Sequence, residues 1–254
     1  MLAEERQNMI VSMVNRNGSV LVKELSGQFE VTEDSIRKDL TLLQKKGLLR
    51  KTYGGAVKVR VNEQERYVSQ RKGKNLEDKQ TIARKALEII KERDVLFLDI
   101  STANLELARA LAESGRKVTV VTNMIDVMLT LAGESGVKLI FLGGTFSEGR
   151  DGFVGAMTNQ EIKRFRFDEA FMGVVGVDLE RNTVTTYAAE DATTKKTILE
   201  CTSRAYMMLE TRKFSIDGNY VYASVDDFTG AILERGVDSM VQKQMKRYAI
   251  EWII

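Results

Sequence analysis

The sequence predicts an α/β chain in which a small helical head precedes a mostly parallel, Rossmann-like sheet. From Asp78 onward, apolar runs of four to six residues alternate with helical stretches, the pattern of a parallel sheet covered on both faces. Ahead of them, residues 19–56 (SVLVKELSGQFEVTEDSIRKDLTLLQKKGLLRKTYGGA) pass through two short helical patterns into a basic Gly-Gly turn. Charge follows the same division. Residues 1–74 hold 15 Lys or Arg against 9 Asp or Glu, although the whole chain is only +2. A basic head on a slightly acidic body points to nucleic-acid contact by the head alone.

A length of 254 residues allows two domains, and 43% apolar with 29% charged residues is a globular composition. One cysteine excludes an internal disulfide framework, and the absence of histidine removes His-based acid–base chemistry and the common zinc patterns. No metal or cofactor is expected. The first residues, MLAEERQNM, carry acids and no apolar core of a secretory signal, and no run reaches 18 apolar residues. A cytoplasmic protein without a membrane span is therefore expected.

In the head, residues 3–16 read as a helix with Met9, Ile10, Met13 and Val14 inward and Asn17-Gly18 as its stop. Ser19–Leu21 is a short strand. Val22–Phe29 is a second helix, with Val22, Leu25 and Phe29 on one face. After a break at residues 30–33, Thr32 is placed as N-cap of a third helix, and Glu33 and Asp34 lie where the helix dipole favours carboxylates. Ile36, Leu40 and Leu43 form its buried stripe, which leaves Ser35, Arg37, Lys38 and Thr41 outward; Gly47 ends it. Arg50, Lys51, Tyr53 and the Gly54-Gly55 turn then form a wing. This is the sequence form of a winged helix-turn-helix spanning residues 1–57, whose third helix enters a major groove. Residues 58–76 lose periodicity and read as a linker, with Arg71, Lys72 and Lys74 as a cationic patch.

The body, residues 77–254, reads as helix 79–91, strand 95–98, helix 105–114, strand 118–121, helix 127–132, strand 137–142, helix 159–165, strand 169–174, helix 192–201, strand 205–209, helix 237–247 and strand 249–253. Ligands of such sheets sit at the carboxyl ends of the strands. Polar residues gather there: Asp99 with Ser101, Thr102, Ala103 and Asn104, then Thr122 and Asn123, then Gly143 and Gly144. Ser101 and Thr102 open a helix whose free N–H groups suit an anion. No GxGxxG and no GxxxxGK[ST] occurs, so dinucleotide and P-loop readings lose their main support. Glu190, Asp191 and Lys195 are placed either over a polar ligand or on a solvated loop.

With these residues named, the chain resembles the DeoR family of bacterial transcriptional regulators over nearly its whole length. The family's TIRRDLxxLExxGxLxRxxGGA signature reads SIRKDLTLLQKKGLLRKTYGGA from Ser35 to Ala56. The resemblance implies DNA contacts by Ser35, Arg37 and Lys38 on the helix and by Arg50, Lys51 and Tyr53 on the wing; the outward face of the helix adds Thr32 and Thr41. The body is similar to the family's effector domain, which has a ribose-5-phosphate-isomerase-like fold and binds phosphorylated sugars. DSGTT becomes Asp99-Ile100-Ser101-Thr102-Ala103, TN is Thr122-Asn123, GGT is Gly143 to Thr145, and FDxAFxGxxGxD runs from Phe167 to Asp178. Later patterns match at Thr185-Thr186, Glu190-Asp191-Ala192 and Lys195, and the (D/A)SSKF pattern reads Glu210-Thr211-Arg212-Lys213-Phe214. The implied effector residues are Asp99, Ser101, Thr102, Ala103, Asn104, Thr122, Asn123, Gly143, Gly144, Asp178, Glu190 and Lys195. Ile100, Ala103 and Arg212 depart from the pattern, and a β-branched Ile100 cannot take a left-handed conformation as glycine can.

The resemblance implies a non-enzymatic repressor of a carbohydrate-utilisation operon, forming a homodimer or homotetramer on double-stranded operator DNA and answering to a phosphorylated sugar. Two alternatives stay open. One is a sugar-phosphate isomerase using Asp99 or Glu190 with Lys195. The other is a constitutive DNA-binding protein whose body only dimerises.

Overall fold

The computed structural model describes residues 2–57, 68–147, 149 and 151–254. In the head, helix α1 (Ala3–Asn17) ends at Gly18, which takes a left-handed φ of 78° and returns its N–H to Val14 O at 2.9 Å. Strand β1 (Ser19–Leu21), α2 (Val22–Phe29), α3 (Glu33–Lys45), β2 (Arg50–Thr52) and β3 (Gly55–Val57) follow. The three strands form an antiparallel sheet in the order β1-β3-β2. Gly55 is required there because a Cβ would collide with the Val20 carbonyl. Ile10, Val14, Leu25, Phe29, Ile36 and Leu40 meet in one core. Asp39, buried on α3, accepts from Arg6 Nε at 2.6 Å and Gln7 Nε2 at 2.8 Å and so ties α3 to α1.

The beginning of the expected linker, residues 58–67, lies outside the described residues. Its end is already body: α4 (Val68–Arg71) buries Val68 in the body core, and Val68 N donates to Gly149 O at 2.7 Å. Then come α5 (Leu76–Ile89), β4 (Val95–Leu98), α6 (Thr102–Ser114), β5 (Val118–Thr122), α7 (Ile125–Leu131) and β6 (Val137–Phe141). A hairpin of β7 (Thr145–Ser147) and β8 (Gly152–Val154) leads to α8 (Ala156–Ile162), β9 (Phe167–Gly173), β10 (Gly176–Asp178) and β11 (Thr183–Thr186). The chain closes with α9 (Ala189–Glu200), β12 (Thr202–Leu209), a 3-10 turn (Thr211–Ser215), β13 (Tyr220–Ala223), β14 (Gly230–Leu233), α10 (Ser239–Met245) and β15 (Glu251–Ile253).

Seven strands form one sheet in the order β15-β14-β12-β9-β4-β5-β6, every pair parallel. Winding runs one way through β4, β5 and β6 and the other way from β9 onward, so it reverses between β4 and β9. Alternate residues feed two cores. Leu96, Leu98, Phe171, Tyr206 and Met208 pack with Ile82 and Ala86 of α5 and Leu107 of α6. Phe97, Ala170, Met172, Met207 and Leu209 face the other way, with Ile162 of α8 and Ile198 of α9. Both faces are thus covered, as the continuous apolar strands require.

Apolar patterning predicts no element in the stretch between Leu209 and Val237. It contains β14, buried at all four positions, and β13, which joins β10 and β11 in a second, antiparallel sheet. Both strands are four residues long and lack alternation. Several helices begin two or three residues earlier than their apolar periodicity indicates; α6, for example, starts at Thr102. No helix among the described residues is long and apolar enough to cross a membrane.

Candidate functional site

The head presents a polar face built on α3. Thr32 caps the helix, its hydroxyl accepting from Ser35 N at 3.3 Å. Arg37 and Lys38 are exposed, and with Asp34, Thr41, Leu42 and Lys45 they line one outward depression. Arg37 is held along the helix by Glu33 at 2.7 Å and Asp34 at 3.0 Å. The wing is fastened to the helix: Lys51 Nζ donates to Thr41 Oγ1 at 2.7 Å and Lys51 N to Gln44 Oε1 at 2.8 Å. Arg50 is exposed, and Tyr53 projects fully into solvent at the wing tip. The eight residues expected to touch DNA therefore lie on one helix and the wing joined to it. Leu42, 41% exposed on the same face, carried no polar signal; an apolar side chain there suits a thymine methyl.

In the body, a cavity of about 660 Å³ opens at the carboxyl ends of β4, β9 and β12. Ile100, Ser101, Thr102 and Ala103 supply one wall. Ser101 caps α6 by accepting from Asn104 N at 3.1 Å, which leaves the first N–H groups of that helix without intrahelical partners. In the DSGTT pattern Ser101, not Ile100, stands at the glycine, and its extended φ of −154° brings no backbone strain. Behind the wall, Asp99 and Asn104 are buried. Asp99 accepts from Asn104 Nδ2 at 2.6 Å, from Gly173 N at 2.9 Å and from Lys195 Nζ. Lys195 also donates to Gly173 O at 2.9 Å and lies 5.8 Å from the Tyr222 ring centroid. Burial raises the Asp99 carboxyl above its usual range, and Lys195 opposes that shift.

The opposite wall follows β12. Buried Glu210 accepts from Asn75 Nδ2 at 2.8 Å and Arg212 Nε at 2.9 Å, with Lys213 Nζ at 3.4 Å. Burial alone would raise its carboxyl, but Lys213, Arg212 and Asn75 together hold it well below the usual range. Burial lowers the Lys213 ammonium to about 8, with Glu210 opposing. Lys79, also lowered by burial, donates to the carbonyls of Arg71 and Lys74 and fixes that turn against the cavity. Lys45, Lys46 and Arg50 of the head line the same space.

Among the expected effector residues, Ser101, Thr102, Ala103 and Lys195 line this cavity, and Asp99 and Asn104 support it. The others are elsewhere. Thr122 Oγ1 donates to Leu98 O at 2.7 Å, and Asn123 Nδ2 to Phe153 O at 2.7 Å, holding the β7–β8 hairpin. Gly143 O accepts from Thr158 Oγ1 at 2.9 Å, and Gly144 takes a φ of 152° beside the same threonine. Asp178 Oδ1 caps a turn by accepting from Glu180 N at 2.9 Å and Arg181 N at 3.0 Å. Glu190 is exposed, and its neighbour Asp191 lines the cavity instead, accepting from Thr186 Oγ1. The reversal between β4 and β9 explains this division. A crevice at the switch draws on β4, β9 and β12, not on β5 and β6. The strand-end rule applied to β12 would have found Glu210, Arg212 and Lys213.

Residues 74–235 match the model of the DeoR C-terminal sensor domain, and residues 6–62 match that of the DeoR-like helix-turn-helix domain. The chain belongs to the DeoR family. It is 30% identical over 246 residues to the uncharacterized HTH-type transcriptional regulator YulB of Bacillus subtilis, covering 97% of this chain and 94% of that one. It is 27% identical to the transcriptional repressor AccR of Agrobacterium fabrum (97% of each) and 28% identical to the L-fucose operon activator of Haemophilus influenzae (98% and 99%). Ribose 5-phosphate isomerase A of Methanocaldococcus jannaschii is a structural neighbour at a TM-score of 0.37 and 14% identity, over 51% of this chain and 50% of that one. This DeoR-family chain is thus a DNA-binding transcriptional regulator with a C-terminal sensor domain.

Proposed function

We propose that this regulator reads double-stranded operator DNA with α3 and the β2–β3 wing, and that a phosphorylated sugar in the cavity controls the reading. The observation that carries this is the shared lining. Arg50 belongs to the wing, yet with Lys45 and Lys46 it faces the same space as Ser101 and Lys195 of the body. An anion held there engages cations that DNA also attracts, so ligand and operator favour different states and each weakens the other. We read the protein as a repressor that its ligand releases from DNA. Its relatives include a repressor and an activator, and two are named for sugar systems, L-fucose and lactose. Control of a carbohydrate-utilisation operon in the cytoplasm is our reading for this chain.

Leu129, Phe146 and Met157 expose large apolar side chains. They support assembly into a homodimer or homotetramer that presents two heads to paired half-sites. An isomerase role is less well supported. Of the two expected bases, Asp99 is buried behind the wall with its carboxylate bound by Asn104, Gly173 and Lys195, and Glu190 is exposed away from the cavity. A thermal-shift panel of sugar phosphates, followed by DNA anisotropy with any stabilising compound, tests the sensing role. Stabilisation and weaker DNA binding are expected. Turnover of ribose 5-phosphate would sink the non-enzymatic reading, and no shift across the panel would favour a constitutive DNA-binding protein.

A further inference from the structure

On its wing side, α3 has already committed its polar groups. Thr41 Oγ1 accepts from Lys51 Nζ and donates to Arg37 O, both at 2.7 Å, and Gln44 Oε1 accepts from Lys51 N at 2.8 Å. Arg37 pairs with Glu33 and Asp34. These bonds hold the wing against one flank of the helix and occupy groups that could otherwise read bases.

The other flank is different. At 3.6 residues per turn, Ser35, Lys38 and Leu42, three and four residues apart, follow one another along it. Leu42 belongs to the outward depression that Lys38, Thr41 and Lys45 also line, and it is 41% exposed. Single exposed leucines are ordinary on protein surfaces; this one stands within the face turned to DNA. Its isobutyl group has no hydrogen bond to offer a base edge or a phosphate. In a major groove, the apolar feature of a base pair is the thymine 5-methyl group. Contact between the two removes apolar surface from water on both sides. A cytosine at the same place presents its amino donor to a side chain that cannot accept it, and a buried donor without a partner is penalised.

We propose that Leu42 sets base choice at one position of each operator half-site by covering a thymine 5-methyl group. The proposal rests on α3 as the helix that enters the major groove. Leu42 is then a specificity residue, and Lys38, about one turn nearer the start of the helix, supplies charge-driven affinity beside it.

Anisotropy at fixed salt, with the full chain and a labelled duplex that the protein selects from a random library, tests it. Each thymine is replaced in turn by deoxyuridine, which lacks only the 5-methyl group. At one thymine of each half-site the replacement should weaken binding about fourfold, the worth of one buried methyl or methylene group. In Leu42→Ala the same replacement should leave affinity nearly unchanged, whereas Leu42→Met should keep the sensitivity. Thermal melts check that each variant is folded, and Lys38→Ala is the control for the helix itself. Weaker binding by Lys38→Ala with no deoxyuridine effect at any position overturns the role of Leu42 and leaves α3 in the groove. A deoxyuridine effect of the same size in the parent chain and in Leu42→Ala assigns the methyl group to another residue and also overturns the proposal. If Lys38→Ala and every deoxyuridine duplex bind as the parent pair does, the proposal falls together with α3 as the reading helix.

Discussion

Lys195 of α9 reaches the Asp99 carboxylate at the end of β4, and both side chains are almost wholly removed from solvent. The pair joins a helix on one face of the sheet to a strand end at the winding reversal, directly behind the cavity wall. Removing the cation leaves a buried carboxylate without its partner. Lys195→Met should therefore cost about 3–5 kcal/mol in urea unfolding. Asp99→Asn added to it should recover part of that loss. A single-variant cost below about 1 kcal/mol would show that the pair does not anchor the site.

The head has its own anchor in Asp39. Asp39→Ala strips Arg6 and Gln7 of their shared acceptor and frees α3 from α1. A loss of about 1.5–3 kcal/mol is expected, the range for hydrogen bonds to charged groups. Amide hydrogen exchange should show it as faster opening of α3 with the body unchanged. Equal protection in the variant would place the stability of α3 in its apolar stripe alone.

Glu169 of β9 lies buried against Arg204 of β12, and burial, only partly offset by Arg204, raises its carboxyl to about 7. Its ordinary value is 4.5. Between these values the folded state keeps the proton that the unfolded state releases. This group therefore makes stability fall as pH rises from about 4.5 to about 7, by no more than about 3 kcal/mol. Glu169→Gln should flatten that decline in unfolding measured at pH 5 and pH 7.5. An unchanged slope would assign the dependence to other groups.

On the DNA face, Lys38→Ala and Arg37→Ala should weaken operator binding while leaving the melting temperature in place. Arg37 must leave Glu33 and Asp34 to reach DNA, but those pairs are exposed and cost little to break. If either residue contacts a phosphate, the slope of log affinity against log salt should shrink by about one. Unchanged affinity in both variants would remove α3 from the role of recognition helix.

Much of the head was legible because its signals are local: the Thr32 cap, the Ile36–Leu40–Leu43 stripe and the turn before Gly55 each act within a few residues. The parallel body was legible from its apolar runs, yet the site was not fully so. Ser101 was found because strand-end polarity and family pattern agree there, and Lys195, within α9, because the polar stretch before it and the family pattern both include it. Thr122, Asn123, Gly143 and Gly144 look identical by that rule, but they follow β5 and β6, on the far side of β4 from the cavity. Only strand order, which local spacing does not encode, separates these strand ends from those of β9 and β12. Glu210 and Lys213 stand out in the sequence only within the (D/A)SSKF match, although they directly follow β12. The bond from Asn75 to Glu210 brings together residues 135 positions apart.

The central claim, that an anion in the shared cavity opposes DNA binding, is tested most directly by anisotropy. The full chain would be titrated onto a labelled operator duplex selected by the protein itself, with and without a saturating sugar phosphate shown by thermal shift to bind. The expected result is at least a tenfold weaker DNA affinity with ligand present, a coupling of about 1.4 kcal/mol or more. An affinity unchanged by a ligand that demonstrably occupies the protein would contradict it.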